Sequence, residues 1–237
     1  MDAGMKENNY GIFNSNQLKI LACLFMLCDH IGLILLNDNL IARSIGRMAF
    51  PIFAFLLVEG MKHTSDMRKY IMRLILFAFI SEVPYDLAVF GNVIYIQHQN
   101  IFFTLALGLL VIYCFEDKGK LQKWAYGILA ISLMAALICK LDYSIAGILI
   151  IFSFYKLSPH NAGKNGKERI CVNMELAAVT ALIDVLFIGT RQLYSLFSLV
   201  PINMYNGKRG KAGYKYVFYL FYPVHLLVLW IINQLVV

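Results

Sequence analysis

The chain has 237 residues, 60% of them hydrophobic and 15% charged, with a formal net charge of +7 and a mean hydropathy of +0.67. Soluble domains carry about 25% charged and about 45–50% apolar residues, so this balance excludes a disordered chain, a secreted disulfide scaffold and an ordinary cytosolic enzyme. It predicts an all-α, polytopic transmembrane helical bundle, a single domain over residues 1–237 with a loose N-terminal tail at 1–14.

A helix needs about 20 apolar residues to cross a hydrocarbon core of about 30 Å. Apolar runs at 18–36, 42–60, 70–90, 101–115, 124–139, 143–157, 170–188, 191–205 and 215–235 predict about nine spans. The eighth is the weakest, because it holds Ser195, Ser198 and Asn203 and is interrupted by Pro201. With the N-terminus cytoplasmic, every Lys and Arg except Arg43, Arg47, Lys140 and Arg191 falls in a cytoplasmic segment. That asymmetry fixes an orientation and predicts a multi-pass protein of the plasma membrane. The basic residues are thus orientation signals; the expected partner is the lipid bilayer, and nucleic acid is not one. The polar stretch 158–169 reads as a cytoplasmic connector. Cys23, Cys28, Cys114, Cys139 and Cys171 show no metal or disulfide spacing and read as small buried hydrophobes. No cleavable signal peptide is expected, since the first run carries Asp29 and His30 in its middle.

Ionisable groups inside a bilayer are costly, so each is either a functional group or a polar clamp between helices. Counting the helical rise, Asp29 and His30 lie about 16–18 Å up the first span, Arg47 about 20 Å, Glu82 about 18 Å, Asp86 about 24 Å, Asp184 about 21 Å and His225 about 15 Å, with Thr104 near the height of Asp86. Several helices therefore bring polar groups to the middle and outer half of the membrane, as a site reachable from the outer face would. Arg43 and Arg47 are i,i+4 and share a helix face; Glu82 and Asp86 are i,i+4 around Pro84. The two carboxylates opposite the two guanidiniums would make a paired cluster, either functional or a structural lattice. Pro84 frees the Ile80 carbonyl and is expected to kink its helix. Asp29 and His30 are adjacent, so their side chains diverge by about 100°. A neutral imidazole near pH 7 suits a general base, so His30 is the sharpest single residue, and His225 has similar standing; either is equally readable as a hydrogen-bonded core group. Glu59 reads as structural, paired with Lys62 or His63. No HExxH, GxGxxG, Walker A or GxSxG motif is present, and no His/Cys cluster has metal-ligand spacing.

The stretches LKILACLFMLCDHIG (18–32), IGRMAFPIFAFLLVEGMKHT (45–64), RLILFAFISEVPYDL (73–87), NIFFTLALGLL (100–110), DYSIAGILII (142–151) and YNGKRG with KYVFYLFYPVHLLVL (205–229) resemble the TraX family of integral membrane acetyltransferases, named after the enzyme that N-acetylates conjugative pilin. That family is in turn similar to the acyltransferase-3 class. The resemblance spans the chain and implies a membrane-embedded acyltransferase domain. It would move an acetyl group from cytoplasmic acetyl-CoA to an amine or hydroxyl of an extracytoplasmic peptide or glycan. In that scheme Lys208, Arg209, Lys211 and Lys215 dock the phosphates of acyl-CoA, unless they are merely positive-inside charges. His30 removes the acceptor proton, with His225 the alternative base. Arg47, with Arg43, stabilises the oxyanion, and Asp29 orients a partner. Glu82, Asp86, Thr104 and Asp184 line the substrate region, and neither a metal nor a prosthetic group is needed. The alternative is a small proton-coupled transporter using the same buried Asp, Glu, Arg and His; the chain lacks the internal repeat such transporters usually carry.

Overall fold

The computed structural model describes residues 11–157, 166–210 and 215–236, and for residues 166, 167, 169 and 215 the backbone alone. In chain order it contains α1 (Ser15–Ile34), α2 (Leu40–Gly46), α3 (Ala49–Lys62), α4 (Met67–Phe90), α5 (Ile101–Glu116), α6 (Lys120–Ile138), α7 (Ser144–Lys156), α8 (Gly166–Phe187), a 3₁₀ segment (Thr190–Ser198), α9 (Leu199–Asn203) and α10 (Lys215–Val236). Among the described residues the only β pairing is two isolated bridges, Phe13 with Tyr205 and Gln99 with Leu141.

Local chemistry sets several ends. Asn14 caps α1 by accepting from the Gln17 amide at 3.0 Å, while Gln17 Oε1 accepts from the Asn14 amide at 2.9 Å, a reciprocal pair that satisfies two otherwise orphaned donors. Asn100 caps α5 by accepting from the Phe102 amide at 3.1 Å. Gly91 closes α4 in the left-handed conformation at φ +69°, where only glycine is unstrained. The helix runs through Pro84 to Phe90 without interruption.

Among the described residues five helical stretches are long and apolar enough to cross a membrane: Ser15–Ile34, Leu40–Lys62 (α2 and α3 taken together), Lys120–Ile138, Ile170–Phe187 and Tyr216–Val236. The apolar helices α5 and α7 are shorter, at 16 and 13 residues, and the 24-residue α4 carries more charge. In the most apolar 18-residue window of each stretch, 61% of the residues are buried for Leu40–Lys62 and only 17% for Lys120–Ile138, so α3 is the central helix and α6 a peripheral one. The outward faces present Leu24, Phe79, Ile131 and Leu182, which is what a lipid-facing surface requires. Lipid tails are as apolar as leucine, so close packing of helices must supply the cohesion. Small residues permit it: a Cβ at Gly108 would stand 2.4 Å from Ile151, and one at Gly147 2.5 Å from Thr104, which brings α5 against α7.

The stretch expected as an eighth span is not one α-helix. It is the nine-residue 3₁₀ segment followed by the five-residue α9. Arg191 Nη1 donates to Asp38 Oδ2 at 3.3 Å at one end, and at the other the Asn206 amide donates to the Phe13 carbonyl at 2.9 Å. The stretch therefore runs from the Asp38 end of the bundle to the Ser15 end. A 3₁₀ helix rises about 2.0 Å per residue against 1.5 Å for an α-helix, so few residues cover the distance. The run at 42–60 is also divided, breaking at Arg47 and Met48 between α2 and α3. Helices α1 and α10 lie parallel: Lys19 Nζ stands 5.4 Å from the Phe218 ring centre near one end, and His30 meets His225 further along both.

Candidate functional site

A cavity of about 250 Å³ follows α1 from its N-terminal end into the bundle. At the Ser15 end its wall holds Asn16, Lys19, Arg73 and Arg209; Phe53, Leu56, Leu57 and Tyr219 form its apolar middle; deeper, it reaches Asp29, His30, Asp142, Tyr143 and Tyr222. Lys19, Met26 and His30 are spaced i, i+7 and i+11, so they form one stripe of α1, and His30 lies about 16 Å beyond Lys19. One helix thus carries a cation at the mouth and an imidazole inside.

His30 Nδ1 stands 2.8 Å from His225 Nε2, and His225 Nδ1 stands 2.7 Å from the Phe221 carbonyl. A carbonyl cannot donate, so His225 Nδ1 carries hydrogen. In neutral rings His225 Nε2 is then an acceptor, His30 Nδ1 is its donor, and His30 Nε2 is left with a bare lone pair. His30 lines the cavity and His225 sits behind it, both buried.

Asp29 is held by two guanidiniums: Arg43 Nη1 at 2.5 Å from Oδ2 and Arg47 Nη2 at 3.2 Å from Oδ1. Arg43 also reaches Asp38 at 3.0 Å, and Arg47 donates to Gln192 Oε1 at 3.4 Å. The hydrogen bond from Arg191, with Arg43 beside it, keeps the Asp38 carboxyl below its ordinary range. Gly46 makes the approach of α2 to α1 possible, because a Cβ there would stand 2.2 Å from Asp29 Cβ. The arginine pair expected opposite Glu82 and Asp86 therefore faces Asp29 instead. Asp29 lines the cavity, whereas Arg43 and Arg47 stand behind it.

The other expected substrate-binding residues lie elsewhere. Glu82 accepts a short hydrogen bond from Asn100 Nδ2, which also donates to the Ala78 carbonyl at 2.8 Å, so it buckles α4 to the start of α5. Asp86 accepts from the Tyr95 amide at 2.6 Å and shapes the loop after α4. Thr104 Oγ1 donates to the Asp142 carbonyl at 2.5 Å. Asp184 accepts from Ser195 Oγ at 2.6 Å and is fully buried between α8 and the 3₁₀ segment. Of the expected phosphate-docking cations, Arg209 lines the mouth. Lys208 is exposed, and its carbonyl accepts from the Ser15 amide at 2.8 Å. Lys211 and the Lys215 side chain lie outside the described residues. Glu59 pairs with Lys62 at 2.8 Å.

Sequence reasoning missed Lys19 and Arg73 as cavity residues, although the i+11 spacing from Lys19 to His30 was there to be read. It also missed Asp142 and Tyr143. Tyr143 adopts a left-handed backbone at φ +59°, as Ser144 does at +43°, a strained state for non-glycine residues. Its ring stacks on Phe50 at 4.1 Å, and its hydroxyl accepts from Gln192 Nε2 at 3.3 Å. Among the described residues, no group of three or more His, Cys, Asp or Glu is arranged to hold a metal ion.

Residues 14–233 match the family described as TraX protein. The chain belongs to the TraX family. Over 194 residues it is 28% identical to the probable fimbrial assembly protein FimC, serogroup H1, of Dichelobacter nodosus, covering 77% of this chain and 74% of that protein. No solved structure matches. Family membership and the five long apolar helical stretches among the described residues together mark a helical membrane protein.

Proposed function

We propose that this TraX-family protein is a plasma-membrane acetyltransferase that takes the acetyl group of cytoplasmic acetyl-CoA and passes it to an extracytoplasmic amine or hydroxyl. The observation that carries the reading is the cavity, whose mouth holds Lys19, Arg73 and Arg209 beside Glu59 and whose inner end is lined by His30. In this reading the Ser15 end faces the cytoplasm, the N-terminus with it, and the nine apolar runs each cross the membrane. Lys and Arg are concentrated on that side, as the positive-inside rule requires.

The cavity fits the thin part of acetyl-CoA. At about 250 Å³ it is smaller than the roughly 300–1,000 Å³ pockets that enclose whole ligands. The nucleotide and its phosphates stay at the mouth with Lys19, Arg73 and Arg209, while the acetylated arm follows the apolar wall to His30. The acceptor enters from the Asp38 end. Its nitrogen or oxygen lone pair attacks the thioester carbon, forming the new C–N or C–O bond and moving the carbonyl π pair onto oxygen. His30 Nε2 takes the acceptor proton, and the charge this creates is shared with His225 through the Nδ1–Nε2 contact. Collapse of the oxyanion breaks the C–S bond, and the thiolate leaves with that electron pair and takes the proton back from His30. Asp29, clamped by Arg43 and Arg47, forms the polar wall beside the base.

The relative bearing the name of a probable fimbrial assembly protein favours a peptide N-terminus, such as that of a pilin, over a glycan as acceptor. The test is thermal unfolding of the purified protein against an acetyl-CoA titration. A ligand that binds only the folded state adds RT ln(1 + [L]/Kd), about 2.7 kcal/mol at a hundredfold excess over Kd. A saturable rise that is lost when Lys19, Arg73 and Arg209 are together changed to Gln supports the reading. No rise in a folded sample overturns it.

A further inference from the structure

We propose that Tyr222 is the oxyanion donor of this site, acting together with the first amide of α5. The inference rests on the acetyltransferase reading and names the group that reading leaves open. A carbonyl attacked beside His30 Nε2 develops negative charge on its oxygen, and that oxygen needs hydrogen-bond donors aimed at it before the reaction begins. The deep wall of the cavity offers few. Asp29 and Asp142 are carboxylates. The guanidiniums of Arg43 and Arg47 stand behind Asp29, outside the cavity lining. The Tyr143 hydroxyl is engaged with Gln192.

Tyr222 differs from all of these. It lines the same cavity, is only 3% exposed, and its hydroxyl has no hydrogen-bond partner. A buried hydroxyl without a partner costs stability, so its persistence beside a cavity points to a partner that arrives with the substrate. Its ring stands 6.1 Å from that of His30 at 66° and 5.7 Å from that of His225 at 63°. On its other side it meets Phe102, in the first turn of α5, at 5.3 Å and 85°.

That contact aims the phenol at the N-terminus of a 16-residue helix. The Asn100 cap takes the Phe102 amide. The Ile101 amide, the first of the helix, has no intrahelical acceptor available; Ile101 lines the cavity beside Tyr222 and Phe102. A phenol O–H and a helix-terminal N–H thus converge where an anionic oxygen would sit, and the helix dipole reinforces both. The ligand is the carbonyl oxygen of the acyl thioester, which becomes the oxyanion when the acceptor attacks and becomes a carbonyl again when the C–S bond breaks.

Tyr222→Phe removes one oxygen and keeps the ring. The measurement is CoA thiol released from acetyl-CoA with a short synthetic peptide carrying a free N-terminus, for the purified wild type and the variant, alongside their unfolding temperatures. The expected result is a fall in kcat of about 10²-fold, with KM for acetyl-CoA within about twofold and an unfolding temperature unchanged or raised. A wild type that turns over and a folded Tyr222→Phe variant within about threefold of it in kcat would overturn the assignment while leaving the acetyltransferase reading intact. A wild type that releases no CoA overturns that reading, and the assignment with it.

Discussion

His30 and His225, 195 positions apart, meet nitrogen to nitrogen at 2.8 Å. The Phe221 carbonyl behind His225 fixes the direction of the hydrogen bond between the two rings and leaves the lone pair on Nε2 of His30, a residue that lines the cavity. His225 is therefore a positioning residue for His30. His225→Gln, whose side-chain oxygen can accept from His30 Nδ1, should retain most activity. His225→Leu removes the acceptor and should lower kcat by about 10²-fold, less than the roughly 10⁴ lost when a charged orienting partner is removed from a catalytic histidine. Steady-state turnover with acetyl-CoA and a peptide amine checks the pair; equal activity in the two variants would separate His225 from the mechanism.

Asp29 answers two arginines at once, so the three residues should not be equivalent in stability. Asp29→Asn leaves Arg47 without its carboxylate partner and Arg43 with Asp38 alone, whereas Arg43→Gln or Arg47→Gln leaves the Asp29 carboxylate one partner. The Asp29 variant should be the least stable of the three, by up to about 3 kcal/mol relative to wild type. Thermal unfolding in one detergent gives the order directly.

Gly46→Ala places a methyl 2.2 Å from Asp29 Cβ. The neighbour is the body of α1, so the helices must separate, at a cost of about 1–3 kcal/mol. A Cβ added at Gly127 in α6 would meet no atom within 4 Å, so Gly127→Ala should be neutral or mildly stabilising, by about 0.5–1 kcal/mol. The contrast in unfolding temperature between the two variants tests whether α1 and α2 are in contact at this point.

Glu82 buckles α4 to α5 and does not line the cavity. Glu82→Ala should lower stability by about 1 kcal/mol, the scale of a lost hydrogen bond, and leave KM for acetyl-CoA unchanged. A raised KM with unaltered stability would return Glu82 to the substrate region.

Much of the architecture can be read in the sequence, because apolar run length sets where helices form. The runs at 18–36 and 215–235 become α1 and α10 within a few residues. Residues 191–205 differ because serines, an asparagine and Pro201 disfavour a regular α-helix, and the tighter 3₁₀ form covers the length with fewer residues. His30 stands out in the sequence because an ionisable ring inside an apolar run is rare. Its union with His225 does not, since helical spacing fixes which residues share a face and says nothing of which helix that face meets. The same gap paired the arginines with Glu82 and Asp86, when α2 turns back on α1 and meets Asp29 at Gly46. Tyr222 is hidden for a related reason: an unpartnered hydroxyl is a property of the packing around it.

The central claim is that His30 is the base at the inner end of a donor channel, and the most direct measurement separates binding from turnover in one variant. Acetyl-CoA stabilisation and CoA release in the presence of a peptide amine should be measured on wild type and His30→Ala. The account predicts that the variant keeps the ligand-induced rise in unfolding temperature and loses about 10²–10⁴-fold in kcat, the contribution of a positioned acid–base group. Full turnover in a folded His30→Ala protein would contradict it.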